Sequence, residues 1–163
     1  MGSGKSSVGR VLAEKSAINS FDLDDLIEDS QQKSISDIFN EKGEIYFRKI
    51  ETQVLKEFIG SQNSFVLALG GGTPCYANNH EFLQREELVS VYLKASVDTL
   101  IQRLKDTKQN RPLIAHLSDQ ALTDYINKHL FDRNFYYHQA KYVINTDNKT
   151  PSQVADEILR IIS

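Results

Sequence analysis

The chain opens Met1-Gly2-Ser3-Gly4-Lys5-Ser6-Ser7, and this stretch limits the fold more than any other. Gly2 to Ser6 is the back half of the phosphate-binding loop G-x-x-x-x-G-K-[ST]. Glycines let backbone N–H groups curl round a polyphosphate, Lys5 reaches the outer phosphates, and the Ser6 hydroxyl is the group that sits on Mg²⁺. The following residues, Val8 to Ala17, read as a helix whose N-terminal end faces the same anion. The full motif has a further glycine three residues before Gly2 and a buried strand before that. Both would lie ahead of Met1.

The remaining composition narrows the partners. At 163 residues the chain is long enough for one domain with a sheet covered on both faces. No apolar run approaches the ~18 residues of a membrane span, and the first residues lack a signal-peptide pattern. The lone Cys75 excludes an internal disulfide and fits a reducing compartment. A formal net charge of −3 gives no reason to expect nucleic acid. An anionic substrate therefore needs locally placed arginines and lysines.

Taken in order, the chain alternates strands and helices. Phe21 and Leu23 alternate with Asp22 and Asp24, which predicts a short strand with both carboxylates on one face. Ser34 can cap a helix carrying Ile35, Ile38 and Phe39, and Gly43 interrupts it. A longer helix then buries Phe47, Ile50, Val54 and Phe58, with Arg48 beside that stripe. Residues 64–69 form a short apolar run that reads as a buried parallel strand. It ends in Gly70-Gly71-Gly72-Thr73-Pro74, where a ligand can approach the backbone closely.

A short helix over 79–86 precedes a strand over 88–94. Ser96 caps the next helix, with Val97, Leu100, Ile101 and Leu104 on one side. Periodicity then breaks in a polar, basic run over about 105–117 that contains Arg111-Pro112 and reads as a mobile lid. Ser118 or Asp119 starts a helix built on Leu122, Tyr125, Ile126 and Leu130, with Arg133 near its end. Phe135, Tyr136 and Tyr137 read as packing residues there. Residues 142–145 are a last strand, and Thr150-Pro151 open the final helix in the positions such residues favour. This order predicts an α/β fold, a parallel sheet sandwiched between helices in three layers. Cys75 has no activating histidine motif, and His80, His116, His129 and His138 show no metal-ligand spacing.

With these residues in hand, the chain resembles shikimate kinase over nearly all its length. The resemblance rests on a set of motifs in one order. They are the phosphate loop, F-D-L-D-D near position 22, the I-F…G-E-x-x-F-R-x-x-E block across 38–51, G-G-G-T at 70–73, R-P-L at 111–113 and R-N-x-Y-Y at 133–137. It implies the P-loop, nucleoside-monophosphate-kinase-like fold as a single domain over 1–163, with the lid at about 105–117 and substrate-binding helices at about 34–59. The implied reaction is ATP-dependent phosphorylation of the shikimate 3-hydroxyl in aromatic amino-acid biosynthesis.

Carried over position by position, Gly2, Ser3, Gly4, Lys5, Ser6 and Ser7 would hold the ATP phosphates. Ser6 and Asp22 would hold Mg²⁺, Asp22 through water. Asp24 would bind the shikimate hydroxyls and accept the reacting proton. Arg48 and Arg133 would grip the carboxylate, beside the N–H groups of Gly70, Gly71 and Gly72. Phe39 and Phe47 would line the ring pocket. Arg111 would contact the transferring phosphate from the lid, and Asn148, Lys149 and Pro151 would border the adenine. The resemblance also implies a cytoplasmic monomer whose partners are the small molecules ATP and shikimate.

Two other readings stay open at this point: a gluconate or nucleoside-monophosphate kinase of the same fold, and a non-catalytic truncated homologue. The resemblance further implies a first strand, central in the sheet between the strand ending at Gly70 and that at 88–94. The expectation is a natural chain about ten residues longer, enough for a strand of ordinary length and its turn.

Overall fold

The computed structural model describes residues 2–105 and 114–162. Helix α1 (Lys5–Ser16) follows the phosphate loop. Strand β1 (Asn19–Asp22) leads directly into α2 (Leu23–Gln31), and α3 (Ile35–Ser61) is broken at Gly43. Strand β2 (Phe65–Ala68) runs into two 3₁₀ turns at Thr73–Cys75 and Asn79–Gln84. Strand β3 (Val91–Lys94), α4 (Val97–Lys105), α5 (Asp119–Tyr137), β4 (Tyr142–Asn145) and α6 (Pro151–Ile162) complete the order.

Local chemistry explains most of these boundaries. Ser34 accepts from the Asp37 N–H, and Ser118 from that of Ala121, each closing the first turn of a helix. Thr150 and Gln153 cap each other: the Thr150 hydroxyl takes the Gln153 N–H and the Gln153 side chain takes the Thr150 N–H. Gly43 adopts φ 79, ψ 175, a conformation closed to ordinary side chains, and so splits α3 into two helical segments.

One expectation fails here. Leu23 and Asp24 are helical, not extended, so Asp22 and Asp24 do not share a strand face. Asp22 Oδ1 accepts the Asp24 N–H at 3.1 Å and makes Asp22 the N-cap of α2. That cap, with Asp24 and Asp25 in the positive first turn, wins over the short apolar alternation.

Both strand pairs are parallel. β1 pairs with β2 in the register Asn19↔Phe65 to Asp22↔Ala68, and β3 with β4 in the register Val91↔Tyr142 to Lys94↔Asn145. Among the described residues the two pairs are separate two-stranded sheets. A cavity of 350 Å³ lies between β2 and β3, lined by Val66, Leu67, Val91 and Leu93 along its apolar length.

Three hydrophobic clusters hold the helices in place. Leu23, Ile27, Ile38, Phe47 and Leu55 bury α2 and α3 against Leu67 and Leu69. Val8 of α1 and Val154 and Ile158 of α6 pack on Leu93 and Ile144. Leu100, Leu104, Leu122 and Ile126 join α4 to α5. Full burial of a Leu, Ile or Phe contributes about 1.5–3 kcal/mol, so these clusters set the helix positions more than helix propensity does. Ile114 is fully buried in the third cluster. Residues 114–116 form a turn anchored by Ile114, and most of the expected lid, with Arg111 and the R-P-L motif, lies outside the described residues.

Candidate active site

Because β1 and β2 run parallel in the register Asp22↔Ala68, their C-terminal ends bring F-D-L-D-D beside the glycine run. In an open α/β sheet that edge is where ligands bind. The phosphate loop meets it from the other side. Gly4, the N-cap of α1, has φ 88, a left-handed geometry. At Gly2 a Cβ would stand 3.1 Å from Leu104, so α4 presses directly on the loop. Ser6 Oγ donates to Asp22 Oδ2 at 2.9 Å, which ties the start of α1 to the end of β1.

Arg103, which the sequence reading passed over, braces this loop. Its Nη1 donates to the Gly2 and Ser3 carbonyls, both at 3.4 Å, and to Thr146 Oγ1 at 3.2 Å. Its Nη2 donates to the Thr146 carbonyl at 2.9 Å. A second pocket, of 230 Å³, is lined by Ser3, Gly4, Ser7, Arg103, Lys149 and Pro151 among others. Lys149 and Pro151 thus line a pocket with the phosphate loop, and the Lys149 ammonium is paired with Glu157 at 2.6 Å.

Asp24 lies between the loop and the glycine run. The residue as a whole is exposed, but its carboxyl end is crowded. A Cβ on Gly70 would stand 3.4 Å from Asp24 Oδ1, 3.6 Å from Glu51 Oε1 and 3.0 Å from Thr73 Oγ1. Burial, and then the negative charges of Asp22 and Glu51, push the Asp24 pKa up to about 6, while Lys5 pulls the other way. Lys5 of the phosphate loop and Asp24 therefore feel each other's charge.

Glu51 was also missed. It is buried on α3 and accepts from Thr73 Oγ1 at 2.7 Å and from Arg48 Nη1 at 3.1 Å. Asn79, equally buried, donates to the Thr73 carbonyl and accepts from Thr52. Nothing in the helical pattern singles out Glu51 except its i,i+3 spacing from Arg48. Arg48 stacks over the Tyr76 ring at 4.0 Å and meets Glu44 at 3.3 Å. A Cβ on Gly72 would stand 3.0 Å from Arg48 Nη2, so only glycine leaves room for the guanidinium there.

Arg133 arrives from α5. Burial pushes the Cys75 thiol up, and the positive charges of Arg133 and Arg48 oppose that shift. Gly71 and Arg133 are among the polar-end residues that line the space between β2 and β3, as are Ser3 and Lys5. Tyr137 does more than pack: its hydroxyl donates to the Gly71 carbonyl at 2.6 Å. Phe135, read as packing, is 66% exposed. Phe39 and Phe47 do meet, with ring centroids 4.5 Å apart.

For a divalent cation the donors are oxygen only. Among the described residues no group of three or more His, Cys, Asp or Glu side chains could hold a metal. A hydroxyl and one carboxylate, Ser6 and Asp22, are adjacent and share a hydrogen bond. That sparse set fits Mg²⁺, which keeps most of its water and takes one or two protein oxygens plus phosphates.

The sequence model of the shikimate kinase family matches residues 1–163. The chain belongs to the shikimate kinase family. It is 50% identical to the shikimate kinase of Flavobacterium psychrophilum over 162 residues, 99% of this chain and 94% of that one. It is 47% identical to the Flavobacterium johnsoniae enzyme, covering 100% of this chain and 95% of the relative. Among solved structures, shikimate kinase from Bacteroides thetaiotaomicron superposes with a TM-score of 0.90 at 32% identity, covering 99% and 93% of the two chains. Shikimate kinase from Acinetobacter baumannii, solved in complex with shikimate, gives 0.86 at 36% identity over 99% and 88%. Family membership sets aside gluconate and nucleoside-monophosphate kinases, and the fold is that of a P-loop kinase.

Proposed function

We propose that this chain transfers the γ-phosphoryl group of ATP to the 3-hydroxyl of shikimate, giving shikimate 3-phosphate and ADP. The observation that carries the reading is what surrounds the glycine run: Asp24 faces Gly70, Arg48 faces Gly72, and Tyr137, one turn beyond Arg133, bonds the Gly71 carbonyl. A planar carboxylate is matched by two guanidinium forks, and a neighbouring hydroxyl by a carboxylate of raised proton affinity.

In this reading the backbone N–H groups of Gly2 to Ser7 and the Lys5 ammonium hold the phosphates. Mg²⁺ held by Ser6 and Asp22 supplies charge neutralisation on the phosphate oxygens when bound. Arg48 and Arg133 fix the ring by its carboxylate, with the N–H groups of Gly70, Gly71 and Gly72 alongside. Asp24 hydrogen-bonds the 3-hydroxyl and takes its proton as that oxygen bonds to phosphorus and the bond to ADP breaks. Arg111 adds positive charge from its segment, and Lys149 flanks the nucleotide. Little covalent work is asked of the protein, since phosphoryl transfer is dominated by positioning and electrostatics.

The acting unit in this reading is a monomer, one functional unit over 1–163. Among the described residues no helix is long and apolar enough to cross a membrane. A biosynthetic role acting on ATP and a small polar acid supports a cytoplasmic location. A coupled ADP-release assay with shikimate, gluconate and CMP tests the proposal. ADP release with shikimate alone is expected; release with either other acceptor and not with shikimate overturns it.

A further inference from the structure

Tyr137 is the last residue of α5, one turn beyond Arg133. Its hydroxyl donates to the Gly71 carbonyl, 66 residues earlier in the chain, at 2.6 Å. Arg133 and Tyr137 are four apart on α5 and share a helix face, and the positive charge of Arg133 favours the ionised form of that hydroxyl, opposing the upward push of burial. The ring is held by Tyr92 of β3 at 5.1 Å between centroids, and Tyr92 is held in turn by His138 at 5.4 Å. One helical turn therefore carries both an arginine of the site and the group that grips the glycine run.

The consequence follows from peptide geometry. In a trans peptide the carbonyl and the following N–H point in opposite directions. Turning the Gly71 carbonyl onto α5 turns the Gly72 N–H away from it. The Thr73 and Cys75 N–H groups are already bonded to the Gly70 and Gly72 carbonyls, at 3.1 and 2.9 Å. The glycine run has no side chains of its own to hold one conformation, and such freedom is costly to freeze on binding.

We infer that Tyr137 is a positioning residue for the acceptor substrate. Its hydroxyl locks the Gly71–Gly72 peptide and the Arg133 guanidinium into one arrangement that receives the carboxylate as a unit. The inference rests on the assignment of Arg133 to the shikimate carboxylate. Tyr137 touches neither substrate; it acts through Gly71 and Arg133.

The test is steady-state kinetics and thermal melting of the full chain with Tyr137→Phe, Arg133→Ala and both. Phenylalanine keeps the ring and its stacking on Tyr92 and removes only the hydroxyl. Tyr137→Phe should raise the shikimate KM about tenfold, with kcat and the ATP KM within about twofold of the parent. In the Arg133→Ala background the same change should raise the shikimate KM by about twofold or less, because residues acting as a unit are not additive. A rise of equal size in both backgrounds, a parallel rise in the ATP KM, or no rise alongside a large Arg133→Ala effect overturns the inference alone. An Arg133→Ala variant with an unchanged shikimate KM overturns the carboxylate assignment, and the inference with it.

Discussion

Arg48 and Glu51 form an ion pair one helical turn apart on α3, Nη1 to Oε2 at 3.1 Å, with the Glu51 side chain buried and the Arg48 head at the cleft. The other Glu51 oxygen accepts from Thr73, at the turn that closes the glycine run. A single buried carboxylate thus sets the aim of an arginine and the shape of the loop opposite it. Neutralising Glu51 takes from Arg48 its buried charged partner and leaves it the more exposed Glu44. Glu51→Gln is expected to lower stability by about 2–4 kcal/mol in urea unfolding and to raise the shikimate KM about tenfold. Full retention of both would show that Glu51 is a bystander.

Asp24 gives the pH behaviour. Its pKa in the folded chain is about 6 against an ordinary 3.8. The folded state holds a proton that the unfolded chain has already released, so this group favours folding at low pH. That contribution is complete below pH 3.8 and is lost as pH rises through about 6. As the proton acceptor Asp24 must be ionised, so kcat/KM for shikimate should fall on the acid side with a midpoint near pH 6. Asp24→Asn should reduce kcat by about a hundredfold or more. It should also melt higher than the parent at pH 8, since repulsion from Asp22 and Glu51 is relieved. An unchanged acid limb in the variant would assign the limb to another group.

Gly72→Ala separates space from backbone freedom. The residue has φ −92, which alanine adopts without strain. Its Cβ, however, would stand 3.0 Å from Arg48 Nη2 and 3.1 Å from Nη1, the far end of a long side chain. The guanidinium can move aside, so stability should drop by less than about 1 kcal/mol. The shikimate KM should rise about tenfold and the ATP KM should not. A variant with normal shikimate KM would mean that Arg48 acts from another position.

Arg103 predicts the complementary pattern. Its contacts with the Gly2 and Ser3 carbonyls and with Thr146 join the phosphate loop to the segment after β4. Arg103→Gln should raise the ATP KM about tenfold and leave the shikimate KM within about twofold. Lysine should rescue little, because a point charge cannot span four acceptors as a planar fork does. Equal effects on both substrates would count against a bracing role confined to the nucleotide side.

What could be read without coordinates was what short stretches decide. The phosphate loop, the caps at Ser34, Ser118 and Thr150, and the break at Gly43 depend on residues within one turn, so their types identify them. The same locality explains the failure at Asp24. Strand and helix were both open to F-D-L-D-D, and a side-chain cap from Asp22 settled it. Tertiary structure alone decided the partnerships that cross the chain: Tyr137 with Gly71, Arg103 with the phosphate loop, and Glu51 with Thr73. A tyrosine at a helix end or a glutamate on a helix has no local mark of such a role. The bond exists only because parallel strands carry distant segments to one sheet edge. Burial there makes the polar group need that partner.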